Sequence, residues 1–521
     1  MPITGRTLWE MLERRVEATP DRNMLSDEHG RALTWSEFFG WTQRVAAGLH
    51  DLGIKRGDVV SWQLPTRMET IVLSMALTRL GAVQNPIIHL YREREVASLL
   101  RTTGAQWFFT PGVWRGFDYD AMARSIDGPF AILNGYRDLP EGDPATLPPP
   151  PDAGAGDGDA IRWLYSTSGT TSEPKAVLHT DGTLIAGGTG IAMALDPQPD
   201  DQGAVTYPYA HIGGPDFFVM MLRTGRPAVL VEAFVPAETF PLLRQHGVTM
   251  FGGSTAHYLA LANHVAQTGE RPIPTLRRMS GGGAPKPPEL YWRVKDQTGV
   301  LIHHGYGMTE CPMIANASPH DTDEQRANTD GKPVHQCEVL IVDDLEHGVA
   351  TGTDGDILVR GPMLAKGYMK AEQTAESFRA DGFFRTGDRG HLRSDGHIVI
   401  TGRTKELIIR KGENLSPREI EDVLMSHPSV GAIAIIGLPD AERGERVCAV
   451  VETAPGAEPI TFQALTRHCR AVGLMIQKIP EQLEIIDALP RNPTLKILKR
   501  VLVEQFTKPI NAESLNKGDR T

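Results

Sequence analysis

The stretch Tyr165-Ser166-Thr167-Ser168-Gly169-Thr170-Thr171-Ser172-Glu173-Pro174-Lys175 decides how the rest of the chain is read. Six of its residues are Ser or Thr, it turns at Gly169, and it ends in a lysine. Hydroxyls and free backbone N–H groups on a tight turn can donate to several phosphate oxygens at once, and the lysine adds a point charge. Apolar residues 161–164 precede it and a β-like stretch, 176–179, follows. A Walker A loop is excluded, because G-x-x-x-x-G-K-[ST] is absent and a strand, not a helix, comes next. The plain alternative is a polar surface hairpin, against which the density of hydroxyls and the terminal lysine both argue. Ser172-Glu173-Pro174-Lys175 also spells S-x-x-K, but the S-D-N and K-T-G companions of that nucleophile motif are missing.

Working outward, residues 7–19 and 34–52 show apolar positions at helical spacing, with Thr34 or Ser36 as the cap of the second. Residues 58–64 and 106–110 read as short buried strands, with helical periodicity at 67–81 between them. Strand–helix–strand alternation of this kind predicts a parallel sheet with helices on its faces. Residues 140–160 carry almost no large apolar side chain and read as a surface loop or mobile linker. Alternation then resumes to about residue 400. Past Gly402 the texture changes to a helix (417–425), two strands (430–438, 447–453), a helix (461–472) and a strand (482–486). The expected fold is α/β: a large N-terminal domain, 1–402, of parallel or mixed sheets with helices, and a small mobile α+β C-terminal domain, 403–509. Residues 510–521 are polar and read as a flexible tail.

Bulk properties narrow the classes. The chain has 521 residues, with 53 Lys+Arg against 64 Asp+Glu, a net charge of −11. Apolar residues at 40% and charged residues at 22% describe an ordinary globular protein. The acidic balance argues against a general nucleic-acid partner, while leaving room for a local basic pocket. The four cysteines form no C-x-x-C pair, so neither a zinc ribbon nor a disulfide framework is indicated. Nothing resembles a signal peptide, and no apolar run approaches the roughly 18 residues that cross a bilayer. A cytoplasmic enzyme without an integral membrane segment is expected.

Further segments carry chemistry. In Gly305-Tyr306-Gly307-Met308-Thr309-Glu310 the glycines let backbone approach a ligand, Tyr306 offers a flat face for a base, and Thr309 with Glu310 would suit Mg²⁺. Ser280-Gly281-Gly282-Gly283-Ala284-Pro285 is a second backbone-exposing turn, after a strand at 276–279. Arg385-Thr386-Gly387-Asp388 supplies a carboxylate suited to a vicinal diol, and Gly402-Arg403-Thr404-Lys405-Glu406-Leu407 follows. Each of these alone reads more readily as a structural turn. Gly252-Gly253-Ser254-Thr255-Ala256 nearly spells the hydrolase elbow G-x-S-x-G but ends in Ala256, which leaves a serine hydrolase as a rival class.

Taken together and in this order, the segments resemble the adenylate-forming superfamily, which includes acyl-CoA synthetases, luciferases and the adenylation domains of peptide synthetases. The resemblance runs from about residue 7 to 507. A sixth segment, Leu489-Pro490-Arg491-Asn492-Pro493-Thr494-Leu495-Lys496-Ile497-Leu498, is similar to the family's C-terminal lysine loop. The resemblance implies that Thr167, Ser168, Gly169, Thr170, Thr171 and Lys175 hold the ATP β- and γ-phosphates. It implies adenine between the Gly283-Ala284-Pro285 turn and Gly305, Tyr306, Gly307 and Met308. Thr309 and Glu310 would stand at the α-phosphate and Mg²⁺, Asp388 and Arg403 at the ribose, and Lys496 between carboxylate and α-phosphate.

The same resemblance implies a C-terminal domain that rotates about a hinge at Lys405 or Glu406 between adenylation and thioester formation. It puts the acyl pocket along residues 207–216, near Gly253 and Gly282, with His211 in the place of a gating residue. The implied activity is that of an AMP-forming acyl-CoA synthetase using ATP, Mg²⁺, coenzyme A and a medium- or long-chain, alicyclic or steroid-derived acid. Rivals are an acyl-AMP ligase that loads a carrier protein and a non-catalytic ATP-binding relative, and a homodimer is left open. In the family a glycine precedes the lysine where this chain has Leu495. If the backbone there is left-handed, a leucine is strained by roughly 1 kcal/mol or more and Lys496 would be displaced.

Overall fold

The computed structural model describes residues 2–137, 139–152, 154, 156–167, 175–403, 406–410, 413–440, 444–472, 474–491 and 495–507. Local sequence rules set the elements. The helix Leu8–Ala18 is capped by the Thr7 hydroxyl, and Thr34 forms a capping box with Glu37 to start Trp35–Asp51. Met68–Leu80 is buried on nearly every side and stops at Gly81, whose φ of 71° closes the helix. The expected strands at 58–64 and 106–110 are Val59–Trp62 and Trp107–Thr110. The stretch 140–160 forms no strand or α-helix among its described residues, only the short turns Pro144–Thr146 and Asp157–Asp159.

Among the described residues, the N-terminal part builds three large sheets and a two-stranded one of Val113–Trp114 and Phe117–Asp118. A six-stranded sheet is ordered Lys175–Thr180, Ile161–Thr167, Val83–Pro86, Val59–Trp62, Trp107–Thr110, Ala131–Asn134. Only its first pair is antiparallel, with Lys175 opposite Thr167 and Val177 opposite Tyr165. The two strands around the phosphate-loop sequence are therefore one hairpin at the edge of an otherwise parallel sheet. A nine-stranded mixed sheet runs Arg278–Gly281 parallel to Leu301–Met308, which turns back antiparallel into Cys311–Asn316. A four-stranded antiparallel sheet carries Phe384–Leu392 beside Ile398–Arg403. Helices cover the first two sheets around a core that includes Trp9, Trp35, Trp62 and Trp163, each buried.

The small C-terminal domain packs Pro417–Met425 and Phe462–Ala471 against a sheet of Val430–Asp440, Gly444–Thr453 and Gln482–Ile486. It has its own core of Ile420, Leu424, Ile435, Val447, Val451 and Leu465. The α/β architecture and its small second domain are those expected from the sequence. All four cysteines are buried and free, and among the described residues no helix is long and apolar enough to cross a membrane.

Candidate active site between the two domains

The strand Lys175–Thr180 is flanked by a second segment far along the chain. Leu178 N–H donates to Gly367 O at 2.9 Å, Lys366 N–H to Leu178 O at 2.8 Å, and Met369 N–H to Ala176 O at 2.9 Å. This pairing seats Tyr368 against Lys175, whose ammonium lies 4.9 Å from the centre of the Tyr368 ring. The Tyr368 hydroxyl in turn donates to Glu310 Oε1 at 2.6 Å. Burial raises the Glu310 carboxyl above its ordinary range, and the Tyr368 hydrogen bond opposes that rise.

The neighbouring backbone is fixed as well. His179 Nε2 stands 2.7 Å from Thr309 O, and Nδ1 2.9 Å from the Thr183 hydroxyl. A carbonyl only accepts, so Nε2 carries the proton and Nδ1 is the acceptor. Burial pushes this imidazole down to about 4, which keeps it neutral.

Asp388 and Arg403 face each other across the strands Phe384–Leu392 and Ile398–Arg403. Arg403 Nε donates to Asp388 Oδ1 at 2.8 Å, and the buried Tyr306 hydroxyl donates to Oδ2 at 2.6 Å. Both carboxylate oxygens are thus oriented, each with capacity for a further donor. Gly282 lies against Gly305, where any Cβ would strike the Gly305 carbonyl.

Lys496 reaches the same place from the C-terminal domain. Leu495 has φ +64°, the left-handed conformation that a glycine would adopt without strain. Arg491 donates to Leu495 O at 3.2 Å, and Leu498 N–H to Pro490 O at 2.7 Å, which ties Leu495 and Leu498 back to residues 490–491. Leu495 thus adopts the strained conformation considered from the sequence, and Lys496 lines the central cavity. Partial burial and the nearby Arg403 charge lower its pKa, while Glu406 and Asp388 oppose this. The two domains also meet where Arg418, on Pro417–Met425, lies 3.4 Å from the buried Asp330 carboxylate.

Lys175, Glu310, Tyr368, Arg403 and Lys496 line one cavity of about 1320 Å³, larger than the few hundred to 1000 Å³ usual for a ligand site. Of the expected site residues it is lined by Thr167, Lys175, His211, Gly253, Gly282 and Gly283. Gly305, Gly307, Met308, Thr309, Glu310, Arg403 and Lys496 complete that wall. Tyr306, Asp388, Ala284 and Pro285 stand beside it without lining it. Ser168, Gly169, Thr170, Thr171 and Lys405, expected from the sequence as a hinge, lie outside the described residues. Burial pushes the His211 imidazole down to about 4, and its Nδ1 accepts the Gly213 N–H at 3.3 Å. Beyond these, the cavity runs into an apolar section with Ile191, Phe217, Met220, Met250 and Met313.

Sequence reasoning did not single out Tyr368 or His179. A lone Tyr or His carries no motif, and only the pairing of residues 365–369 with the edge strand reveals them. The hydrolase reading finds no support in the geometry. Ser254 caps the helix Thr255–Thr268, and His257 Nδ1 accepts the Ser254 N–H at 3.0 Å while standing 3.5 Å from its hydroxyl. Its Nε2 faces the Thr206 carbonyl at 3.4 Å, not a carboxylate, so the ring caps a helix.

Comparison with known proteins agrees with this arrangement. The model of the AMP-binding enzyme family matches residues 12–369, and that of the AMP-binding enzyme C-terminal domain matches residues 419–496. The salicyl-AMP ligase / salicyl-S-ArCP synthetase of Mycobacterium tuberculosis is 32% identical, over 98% of this chain and 93% of the relative. The 2-succinylbenzoate–CoA ligase of Geobacillus kaustophilus is 32% identical, over 96% and 99%. Among solved structures, the o-succinylbenzoate CoA synthetase of Bacillus subtilis with its acyl-adenylate superposes with a TM-score of 0.83 at 27% identity, covering 95% of this chain and 98% of that one. The same enzyme with ATP and magnesium ion gives a TM-score of 0.82 at 27% identity, covering 95% and 99%. This chain therefore belongs to the AMP-binding enzymes of the adenylate-forming superfamily, as an acyl- or aryl-CoA ligase or a carrier-protein-loading adenylating enzyme.

Proposed function

We propose that the chain is an AMP-forming acyl-CoA synthetase that converts a carboxylic acid, ATP and coenzyme A to acyl-CoA, AMP and diphosphate through an acyl-adenylate. The observation that carries this reading is the arrival of Lys496 in one cavity with Lys175, Glu310 and Arg403, next to an apolar section lined by Ile191, Phe217, Met220, Met250 and Met313. Two anions must meet for a carboxylate to attack the α-phosphorus, and their repulsion is the main barrier to overcome. The Lys496 ammonium offsets that charge from the lid side, and Lys175 holds the leaving phosphates from the other. The carboxylate oxygen bonds to the α-phosphorus as the bond to the diphosphate oxygen breaks. Asp388, oriented by Tyr306 and Arg403, receives the ribose hydroxyls.

The donor set at Glu310 fits a hard cation: a buried carboxylate fixed by Tyr368, next to Thr309, leaves the remaining positions to phosphate oxygens and water. Magnesium held there would neutralise phosphate charge. In the second half-reaction the thiol sulfur attacks the acyl carbon, AMP leaves, and the thiol proton passes to solvent. Lys496 must withdraw to admit the thiol, which supports a pivot at Lys405, between a domain of 1–402 and a lid of 403–509.

The size and apolar lining of the cavity favour a bulky acid of the fatty, alicyclic or steroid-derived kind, and the aryl acids named for two relatives fit the same space. Similarity to the salicyl-AMP ligase favours a second reading, transfer to a carrier protein. Diphosphate release across an acid panel, followed by addition of coenzyme A or a phosphopantetheinyl carrier protein, tests both. Thioester formed with coenzyme A alone supports the synthetase; thioester formed only on the carrier supports the rival.

A further inference from the structure

Asp216 is an unusual member of the apolar section of the cavity. It sits in the first turn of the helix Gly213–Thr224, is 2% exposed and lines the cavity beside Phe217 and Met220. Among the described residues, neither carboxyl oxygen has a hydrogen-bond partner and no cationic side chain offsets its charge. Burial alone raises its pKa well above the ordinary carboxylate range. The fold makes room for it: on the facing helix Asp181–Leu195, a Cβ at Gly187 would come within 2.8 Å of Asp216 Oδ1. A buried polar group with no partner is costly, and one in a cavity wall calls for a functional explanation such as a ligand that completes it. A purely hydrocarbon acid would be served better by a leucine there.

We infer that Asp216 is a specificity-determining residue, and that the acid this enzyme activates carries, besides its reacting carboxylate, a hydrogen-bond donor (a hydroxyl or an amine) that Asp216 accepts. The inference rests on the ligase reading and narrows its substrate class. A site built to hydrogen-bond a substrate discriminates far more sharply against an analogue lacking the group than an apolar pocket does against an added one.

The test is ATP–diphosphate exchange by the full chain with matched sets of fatty, aromatic and steroid acids. Each set holds the hydrocarbon parent, the ketone, the hydroxyl and the amine, substituted near to, midway from and far from the carboxylate. The expected result is a donor-bearing acid whose kcat/KM exceeds that of its hydrocarbon parent by roughly 10-fold or more. Asp216→Leu, confirmed folded by its melting curve, should invert that preference. Asp216→Asn, of the same shape and still an acceptor, should keep part of it for the hydroxyl and lose it for the amine. Should the unaltered enzyme favour the ketone or the hydrocarbon, or should Asp216→Leu retain the wild-type order, the inference is overturned while the ligase reading stands. Absence of exchange with every acid would instead contradict the ligase reading itself.

Discussion

The Tyr368 hydroxyl lies 2.6 Å from Glu310 Oε1, and the same ring lies under the Lys175 ammonium. One side chain thus aligns the carboxylate proposed for the cation and the lysine proposed for the phosphates. A hydrogen bond to a charged group contributes about 1.5–3 kcal/mol, or roughly 10- to 100-fold in rate. Tyr368→Phe should lower kcat for adenylate formation by about that factor and raise the magnesium concentration needed for half-maximal rate. Tyr368→Leu, which also removes the face under Lys175, should additionally raise KM for ATP. Magnesium titrations of diphosphate release check both, and an unchanged magnesium requirement in Tyr368→Phe would detach Tyr368 from the cation.

Leu495 occupies φ +64° one residue before Lys496. Leu495→Gly should relieve up to about 1 kcal/mol of local strain and raise the rate of adenylate formation by a factor of up to about five, without altering thioester formation from supplied acyl-adenylate. A β-branched Leu495→Val should act oppositely, because a second heavy atom on Cβ crowds the left-handed backbone further. Single-turnover rates for the two half-reactions distinguish these effects from a general change in stability.

The contrast between Leu495 and Tyr368 shows what the sequence could reveal. The strands Ile161–Thr167 and Lys175–Thr180 follow from the apolar run at 161–164 and the β-like stretch at 176–179, and the helix Pro417–Met425 from its own local sequence, because these are decided by neighbours in the chain. The left-handed turn at Leu495 was legible because a motif places a glycine there. Tyr368 meets a partner 58 residues away, and Asp388 meets Tyr306 across 82. Those meetings depend on how sheets pack, which no local pattern encodes. The lack of a partner at Asp216 is likewise a property of packing, invisible until every neighbour is in place.

Arg418 and Asp330 join the lid to the body through a largely buried ion pair, 3.4 Å apart. Burial would raise the Asp330 carboxyl, but Arg418 and His304 hold it below its ordinary range. Removing one partner of a buried pair costs about 3–5 kcal/mol where no other charge compensates, and Lys286 nearby should moderate that. Arg418→Ala should therefore destabilise this lid orientation and slow adenylation at least 10-fold, while thioester formation from supplied acyl-adenylate stays within about twofold. Equal losses in both halves would show that the pair serves stability alone.

Asp216 also makes a prediction about the protein without ligand. Its folded pKa lies above the unfolded value of about 4, so the folded state holds a proton that the unfolded state releases. Its contribution therefore becomes more unfavourable as pH rises above about 4. Asp216→Asn should raise the melting temperature, by a margin that is larger at pH 8 than at pH 5. Melting curves of the two proteins at both values measure it, and a constant or reversed margin would mean that Asp216 has a partner in the folded protein.

The account turns on Lys496 acting in one half-reaction and standing aside in the other. Lys496→Ala, assayed separately for acyl-adenylate formation from ATP and acid and for thioester formation from supplied acyl-adenylate, tests this most directly. The predicted result is loss of the first by roughly 100-fold or more with the second near the unaltered rate. Adenylate formation at near the unaltered rate would contradict the account.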